Sequence, residues 1–228
     1  MNKIILALDT SSLEEAINTT KKIKNKIFTV KLGLEFFNAN GKDGIKKFNE
    51  IGITNLMLEL KLKDIPQTIY KAIKALDDIQ FGFITVHGQG GIEMIKQAKK
   101  AASEIKSLPK IMIVTILTAL NDDDLKNMGN DNTVIQQVEK LAKVAKQTEV
   151  GVVCSGHEAK IVRKIIGPNL LIFTPGIRMA SDSKNDQKRV CTPAESIKNG
   201  SNKIIMGRSL IKGNVEENID KVSNSIKE

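Results

Sequence analysis

Glu59, Lys61 and Asp64 stand two and three positions apart in Leu58-Glu59-Leu60-Lys61-Leu62-Lys63-Asp64-Ile65-Pro66-Gln67-Thr68. Side chains alternate between the faces of a strand, so Glu59 and Lys61 point together with Met57, while Leu58, Leu60 and Leu62 take the other face. On a solvated edge strand such a pair is a surface salt bridge of little consequence. On a buried strand each charge must be matched by the other, and the pair becomes a fixed element of a site. Asp64 follows where the strand should stop, because Pro66 lacks an amide donor and suits the first turn of a helix over 67–76.

Lys31 favours the buried case. It lies in Phe28-Thr29-Val30-Lys31-Leu32-Gly33, a run whose apolar content predicts a buried strand, so its ammonium needs a carboxylate inside the protein. Asp9 and Glu59, on the strands either side, are the candidates. A chain of alternating charges, Lys31, Glu59, Lys61 and Asp64, is the simplest arrangement that leaves none unpaired.

The elements that must position these groups alternate along the whole chain. Short Ile/Leu/Val-rich runs predict strands over 3–8, 27–33, 56–62, 83–87, 110–117, 151–154, 170–174 and 203–207, of the kind buried on both faces of a parallel sheet. Amphipathic stretches over 12–24, 42–51, 67–76, 91–105, 133–147, 158–166, 192–199 and 215–226 predict the helices between them. Ser11 or Ser12 and Asp131 or Asn132 serve as start signals, and Gly200 as a stop. Eight strand-helix pairs in 228 residues predict a closed (β/α)8 TIM barrel, with 1–228 as a single domain. An open doubly wound sheet is the alternative, but its G-x-G-x-x-G turn is missing after the first strand.

In such a barrel, polar residues at the C-terminal ends of strands mark the active site. Asp9, Lys31, Glu59, Lys61, Asp64, Thr118, Pro175, Arg178, Gly207 and Arg208 all fall there. Gly207-Arg208-Ser209-Leu210-Ile211 offers backbone amides and a guanidinium where barrels often hold phosphate. The polar, helix-poor run over 175–188, with Arg178 and Gln187, has the length of a closing lid. His87 reads as a core histidine, His157 as a surface one, Cys154 as a small packing residue, and Gly88, Gly90 and Gly91 as a plain strand-to-helix turn.

Composition narrows the classes. The net charge of +9 is spread through nearly every helix and aromatics are only 4%, which argues against a base-stacking nucleic-acid surface and for a mild positive field drawing in a small anion. No apolar run approaches the roughly 20 residues needed to span a bilayer. The start, Met1-Asn2-Lys3 and a short strand, does not match a signal peptide, so a cytoplasmic protein is expected. Cys154 and Cys191 lack C-x-x-C spacing, which argues against metal ligation or a disulfide framework.

With these residues in view, the whole chain resembles the orotidine 5′-phosphate decarboxylase family. The likeness is carried by Leu6-Ala7-Leu8-Asp9, Val30-Lys31-Leu32-Gly33-Leu34-Glu35, the stretch through Asp64-Ile65-Pro66-Gln67-Thr68, and Val114-Thr115-Ile116-Leu117-Thr118. Later come Thr174-Pro175-Gly176-Ile177-Arg178, Asp186-Gln187-Lys188-Arg189-Val190 and Met206-Gly207-Arg208-Ser209-Leu210-Ile211. The resemblance implies decarboxylation of orotidine monophosphate to UMP by a homodimer with shared active sites, without metal or organic cofactor. It implies Lys61 as proton donor to C6, Glu59 and the neighbour's Asp64 as flanking carboxylates, and Lys31 as the lysine that orders the array. Asp9 and the neighbour's Thr68 would meet the ribose, Thr118 the base, and Gln187, Gly207 and Arg208 the phosphate, with Ile65, Pro175 and Arg178 also in the substrate site. Three positions depart from the family's pattern: Glu59 for aspartate, Lys63 for histidine and Ala119 for serine. The extra methylene at 59 moves a carboxylate by roughly 1.3 to 1.5 Å where about 1 Å can matter a hundredfold. Two alternatives follow, a magnesium-dependent sugar-phosphate decarboxylase or aldolase of the same superfamily, and a catalytically impaired UMP-binding barrel.

Overall fold

Parallel strands cannot be joined by tight turns, so each apolar run must be followed by a connection that carries the chain back. The computed structural model describes residues 2–179 and 189–227. Its strands are β1 (Ile4–Leu8), β2 (Thr29–Gly33), β3 (Met57–Leu62), β4 (Phe83–His87), β5 (Lys110–Val114), β6 (Gly151–Val153), β7 (Ile172–Thr174) and β8 (Lys203–Met206). They pair in parallel and in sequence order, and β8 closes on β1. The helices are α1 (Leu13–Ile23), α2 (Leu34–Glu50), α3 (Pro66–Lys74), α4 (Ile92–Ser103), α5 (Asp122–Asn127), α6 (Val134–Thr148), α7 (Ala159–Ile166), α8 (Pro193–Lys198), α9 (Arg208–Ile211) and α10 (Val215–Ser225).

Several boundaries differ from the sequence expectation. Helix α2 starts at Leu34 instead of 42, with Gly41 at φ +57° kinking it internally. The Asn38-Ala39-Asn40-Gly41 run reads as a breaker, but Asn40 donates to the Phe36 carbonyl at 3.0 Å and the helix continues past it. Strand β5 stops at Val114, three residues short of the expected 117, and the chain beyond it forms the cavity wall. Helices α5 and α9 and a 3-10 turn at Gly88–Gly90 were not expected, being too short to show a hydrophobic period. Ser12 caps α1, accepting from the Glu15 amide. Thr133, not Asp131 or Asn132, caps α6, because its hydroxyl and Gln136 close a reciprocal capping box.

Alternation along the strands sorts the core into two layers. Outward residues such as Leu6, Leu32, Leu58 and Ile84 pack against the helices, while Ile5, Met57, Phe83, Met112, Val153, Phe173 and Ile205 fill the barrel. At the N-terminal end Phe28, Phe83 and Phe173 meet edge-on or tilted, with centroids 5.1 to 6.3 Å apart. Lys203 closes this floor, its ammonium 3.9 Å from the Phe28 ring centroid and donating to the Asn2 carbonyl at 2.6 Å. With that end filled by large side chains, the barrel opens towards the C-terminal ends of its strands, where a cavity of about 480 Å³ lies.

One arginine ties the helical layer to the sheet. Arg163 on α7 donates to the carbonyls of Gly167 at 2.6 Å, Leu170 at 2.7 Å and Gly200 at 3.0 Å, and to Asn202 Oδ1 at 2.5 Å. Those carbonyls belong to turns that no strand partner can reach. Arg163→Met keeps the stem and strands the acceptors, so unfolding in urea should show a loss of about 2–4 kcal/mol. A midpoint equal to that of the unaltered chain would mean that water satisfies these carbonyls equally well.

Candidate active site

Three adjacent strands deliver the charged groups. Ala7 on β1 pairs with Lys31 on β2, and Gly33 on β2 pairs with Glu59 on β3, so the strands' stagger brings the end of one beside the middle of the next. Position 33 has no side chain, and the Lys31 ammonium fills the space in front of it; a β-carbon there would lie 3.7 Å from Lys31 Nζ and 3.6 Å from Asp9 Oδ1. Lys31 Nζ contacts Glu59 Oε2 at 2.6 Å and Asp9 Oδ1 at 3.0 Å, and Lys61 Nζ contacts Glu59 Oε1 at 3.1 Å. Glu59 therefore divides its two oxygens between two lysines.

Burial separates these groups. The side chains of Lys31 and Glu59 are each 9% exposed, against 27% for Lys61 and 59% for Asp9. Burial opposes charge on both inner partners, but the facing charges outweigh it. Glu59 and Asp9 hold the Lys31 ammonium above the ordinary lysine range, and Lys31 and Lys61 hold the Glu59 carboxyl below the ordinary carboxylate range. The inner pair is thus locked in its charged form, leaving Lys61 as the ammonium that faces the opening.

Lys61 is also distorted. It has φ +48°, in the left-handed region, although it lies within β3. Pairing between β3 and β4 runs from Leu58–Ile84 to Leu62–Val86, so four steps on β3 face two on β4. Such a conformation in a non-glycine residue costs about 1–3 kcal/mol and is found where surrounding structure over-determines it, often in functional sites.

The opposite wall is mostly apolar. Val114, Ile116, Leu117, Thr118 and Ala119 follow from β5, Val153 and Cys154 from β6, Pro175, Gly176 and Arg178 from β7, and Ile205, Gly207 and Arg208 from β8. Gly207 is needed for close approach, since a β-carbon would sit 3.3 Å from both the Ala7 β-carbon and its carbonyl oxygen. Arg178 is buried and Arg208 exposed, placing one guanidinium in the wall and one at the mouth.

Of the residues expected from sequence, the cavity gathers Asp9, Lys31, Glu59, Lys61, Thr118, Pro175, Arg178, Gly207 and Arg208. Asp64 is not part of the chain of charges within one subunit. After Leu62 the backbone turns outward, Asp64 is exposed, and its carboxylate accepts from the Ile65 amide at 2.7 Å. Ile65 is 67% exposed, and Thr68 faces solvent on the first turn of α3. Gln187 and most of the run read as a lid lie outside the described residues. His87 ends β4 but does not line the cavity. His157 is exposed and donates to the Val190 carbonyl.

Sequence reasoning missed Leu34, Val114, Ile116, Val153 and Ile205, because an apolar residue in or just after a strand carries no signal that separates cavity wall from core. Cys154 also lines the wall, with its thiol pushed up to about 12 by burial and therefore protonated and unreactive. Arg189 was missed as well. It pairs with the buried Glu158 and donates to the Ile116 and Leu117 carbonyls at 3.1 and 2.9 Å, bracing the segment that presents Thr118. Among the described residues, no cluster of three His, Cys, Asp or Glu side chains is placed to hold a metal ion, and no helix is long and apolar enough to cross a membrane.

A closed (β/α)8 barrel with a lysine–carboxylate–lysine array and two guanidinium groups around its C-terminal cavity defines a barrel enzyme built for an anionic substrate. The chain belongs to the orotidine 5′-phosphate decarboxylase / HUMPS family, whose model matches residues 2–221. It is 37% identical over 215 residues to an orotidine 5′-phosphate decarboxylase of Rhodospirillum rubrum, covering 92% of this chain and 87% of that protein. Against that of Ehrlichia chaffeensis it is 40% identical over 211 residues, covering 92% and 90%. The crystal structure of orotidine 5′-phosphate decarboxylase from Lactobacillus acidophilus superimposes with a TM-score of 0.85 at 34% identity, covering 100% of both chains.

Proposed function

We propose that this protein decarboxylates orotidine 5′-monophosphate to UMP in de novo pyrimidine biosynthesis, and that Lys61 delivers the proton. The observation that carries the reading is the array in which Glu59 holds Lys31 at 2.6 Å and Lys61 at 3.1 Å beside a cavity of nucleotide size.

The chemistry needs such an array. When the bond from C6 to the carboxylate breaks, CO2 leaves and the electron pair stays on C6, with no neighbouring carbonyl to delocalise it. An ammonium fixed beside C6 stabilises that charge and then supplies the proton, and the lysine is reprotonated from solvent. Glu59 and Lys31 hold the ammonium in place. Asp9 faces the ribose, Thr118 the base, and Gly207 and Arg208 the phosphate, with Pro175 and Arg178 in the wall between. Anchoring the remote phosphate supports a transition state that the small ring alone could not bind tightly.

The protein acts as one barrel domain in a cytoplasmic homodimer with shared sites. Asp64, Ile65 and Thr68 are exposed in the segment that follows β3, where a second subunit would receive them, and Ile65 adds apolar surface there. Loss of the orotate absorbance on adding orotidine monophosphate, undiminished by a chelator, is the expected result. Turnover that requires magnesium would favour the sugar-phosphate enzymes of the superfamily, and tight UMP binding with no turnover would favour a barrel that has lost catalysis.

A further inference from the structure

The bulge in β3 leaves the Lys61 amide without a place in the sheet, since three residues of β3, 59 to 61, face the single residue Thr85 of β4 there. A buried N–H in that position must find another acceptor. It finds Thr85 on β4, whose Oγ1 accepts it at 2.9 Å. Thr85 is fully buried, and by alternation it shares the face of Phe83, a member of the interior core. Its register partner on β5, Met112, is apolar, as are Met57, Val153 and Phe173 in the barrel interior, and a hydroxyl adds nothing to packing against them.

We propose that Thr85 is a positioning residue of the active site: its hydroxyl takes the Lys61 N–H that the bulge removes from the sheet and so fixes the left-handed residue whose side chain carries the ammonium to Glu59. Without that acceptor, the backbone of 59–61 relaxes towards regular pairing, the Lys61 Cα–Cβ direction turns, and the ammonium leaves its place at Glu59. Thr85 touches no substrate in this scheme and acts only through Lys61. The kinetic consequence rests on the decarboxylase reading; the structural one does not.

Thr85→Val keeps the shape and branching and removes only the acceptor, whereas Thr85→Ser keeps the acceptor and drops a methyl group. Steady-state kinetics with orotidine monophosphate should show kcat for Thr85→Val down by about 10- to 100-fold with KM within about threefold, because a misplaced ammonium leaves phosphate and ribose contacts intact. Amide hydrogen exchange followed by NMR should show the Lys61 N–H exchanging at least about tenfold faster in that variant. Thr85→Ser should match the unaltered chain in both readouts. Should the valine variant not fold, Thr85→Ala replaces it, since alanine and serine differ only by the hydroxyl. Unchanged kcat and amide protection in Thr85→Val, or equal impairment in Thr85→Ser, would overturn the assignment and leave Thr85 as a packing residue. An unaltered chain that does not turn over the substrate would overturn the decarboxylase reading alone, and amide exchange would still decide the role of the hydroxyl.

Discussion

Lys61→Met is expected to lower kcat/KM for orotidine monophosphate by about 10⁴-fold or more, combining a lost proton donor with a lost charge opposite the carbanion. Methionine is unbranched and of similar reach, so the cavity keeps its shape while the ammonium is removed. The side chain is 27% exposed and contacts one carboxylate oxygen of Glu59 at 3.1 Å, so its removal strands less charge than removal of the deeper Lys31 would. Folding should therefore survive, and UMP should still bind, which calorimetry can check. Retention of more than about 1% of turnover would show that another group supplies the proton and would remove Lys61 from its assigned role.

Glu59→Gln is expected to have the second largest effect, and on stability as well as on rate. The amide keeps the volume, but Lys31, nearly enclosed, is left with Asp9 as its only carboxylate contact among those in the array, and two ammonium groups then face one neutral group. Breaking a buried pair from one side costs about 3–5 kcal/mol, and the displaced Lys61 should lower kcat/KM by about 10²- to 10³-fold.

The pH dependence gives this prediction a sign. The Glu59 carboxyl is held below its ordinary value of 4.5, so the stability it contributes is fully present above that pH and is lost as the pH falls through the lower, folded value. Lys31 is held above 10.5, so its contribution is fully present below that pH and is lost only as the pH rises through the higher, folded value. The stability gap between the unaltered chain and Glu59→Gln should be widest between these limits and narrow on acidification below about 4.5. Thermal unfolding followed from pH 7 downward reads this directly, and a gap that widens in acid would refute it.

Glu59→Asp tests the family difference at this position. The glutamate reaches both lysines in the present geometry, so a carboxylate withdrawn by more than 1 Å should lose one of them, and turnover should fall by about tenfold. A higher rate would show that the longer side chain is a handicap in this barrel.

Most of the architecture was legible before any coordinates. Buried parallel strands announce themselves as Ile/Leu/Val runs, their helices by a 3.6-residue period, and closure by the count of eight pairs. The same logic located Asp9, Lys31, Glu59, Lys61, Thr118, Arg178 and Arg208 at one end, because a polar residue in an apolar run is conspicuous. Short elements were less visible: α5 and α9 hold too few residues to display a period, and the first half of α2 is masked by Asn38, Asn40 and Gly41.

Sequence alone determined which side chains carry charge in the barrel and that Lys31 needs a carboxylate on a neighbouring strand. Tertiary structure decided how the charges are shared. Strand stagger set Gly33, not Lys31, opposite Glu59, which lets one carboxylate serve two lysines and leaves Asp64 outside the array of its own chain. It also decided the apolar wall, since Val114, Ile116, Val153 and Ile205 differ from core residues only in what lies in front of them. The bulge at Lys61 depends on the register of β3 against β4 and on a hydroxyl 24 positions away in sequence, and local pattern carries no information about a contact that two strands make only once they have paired.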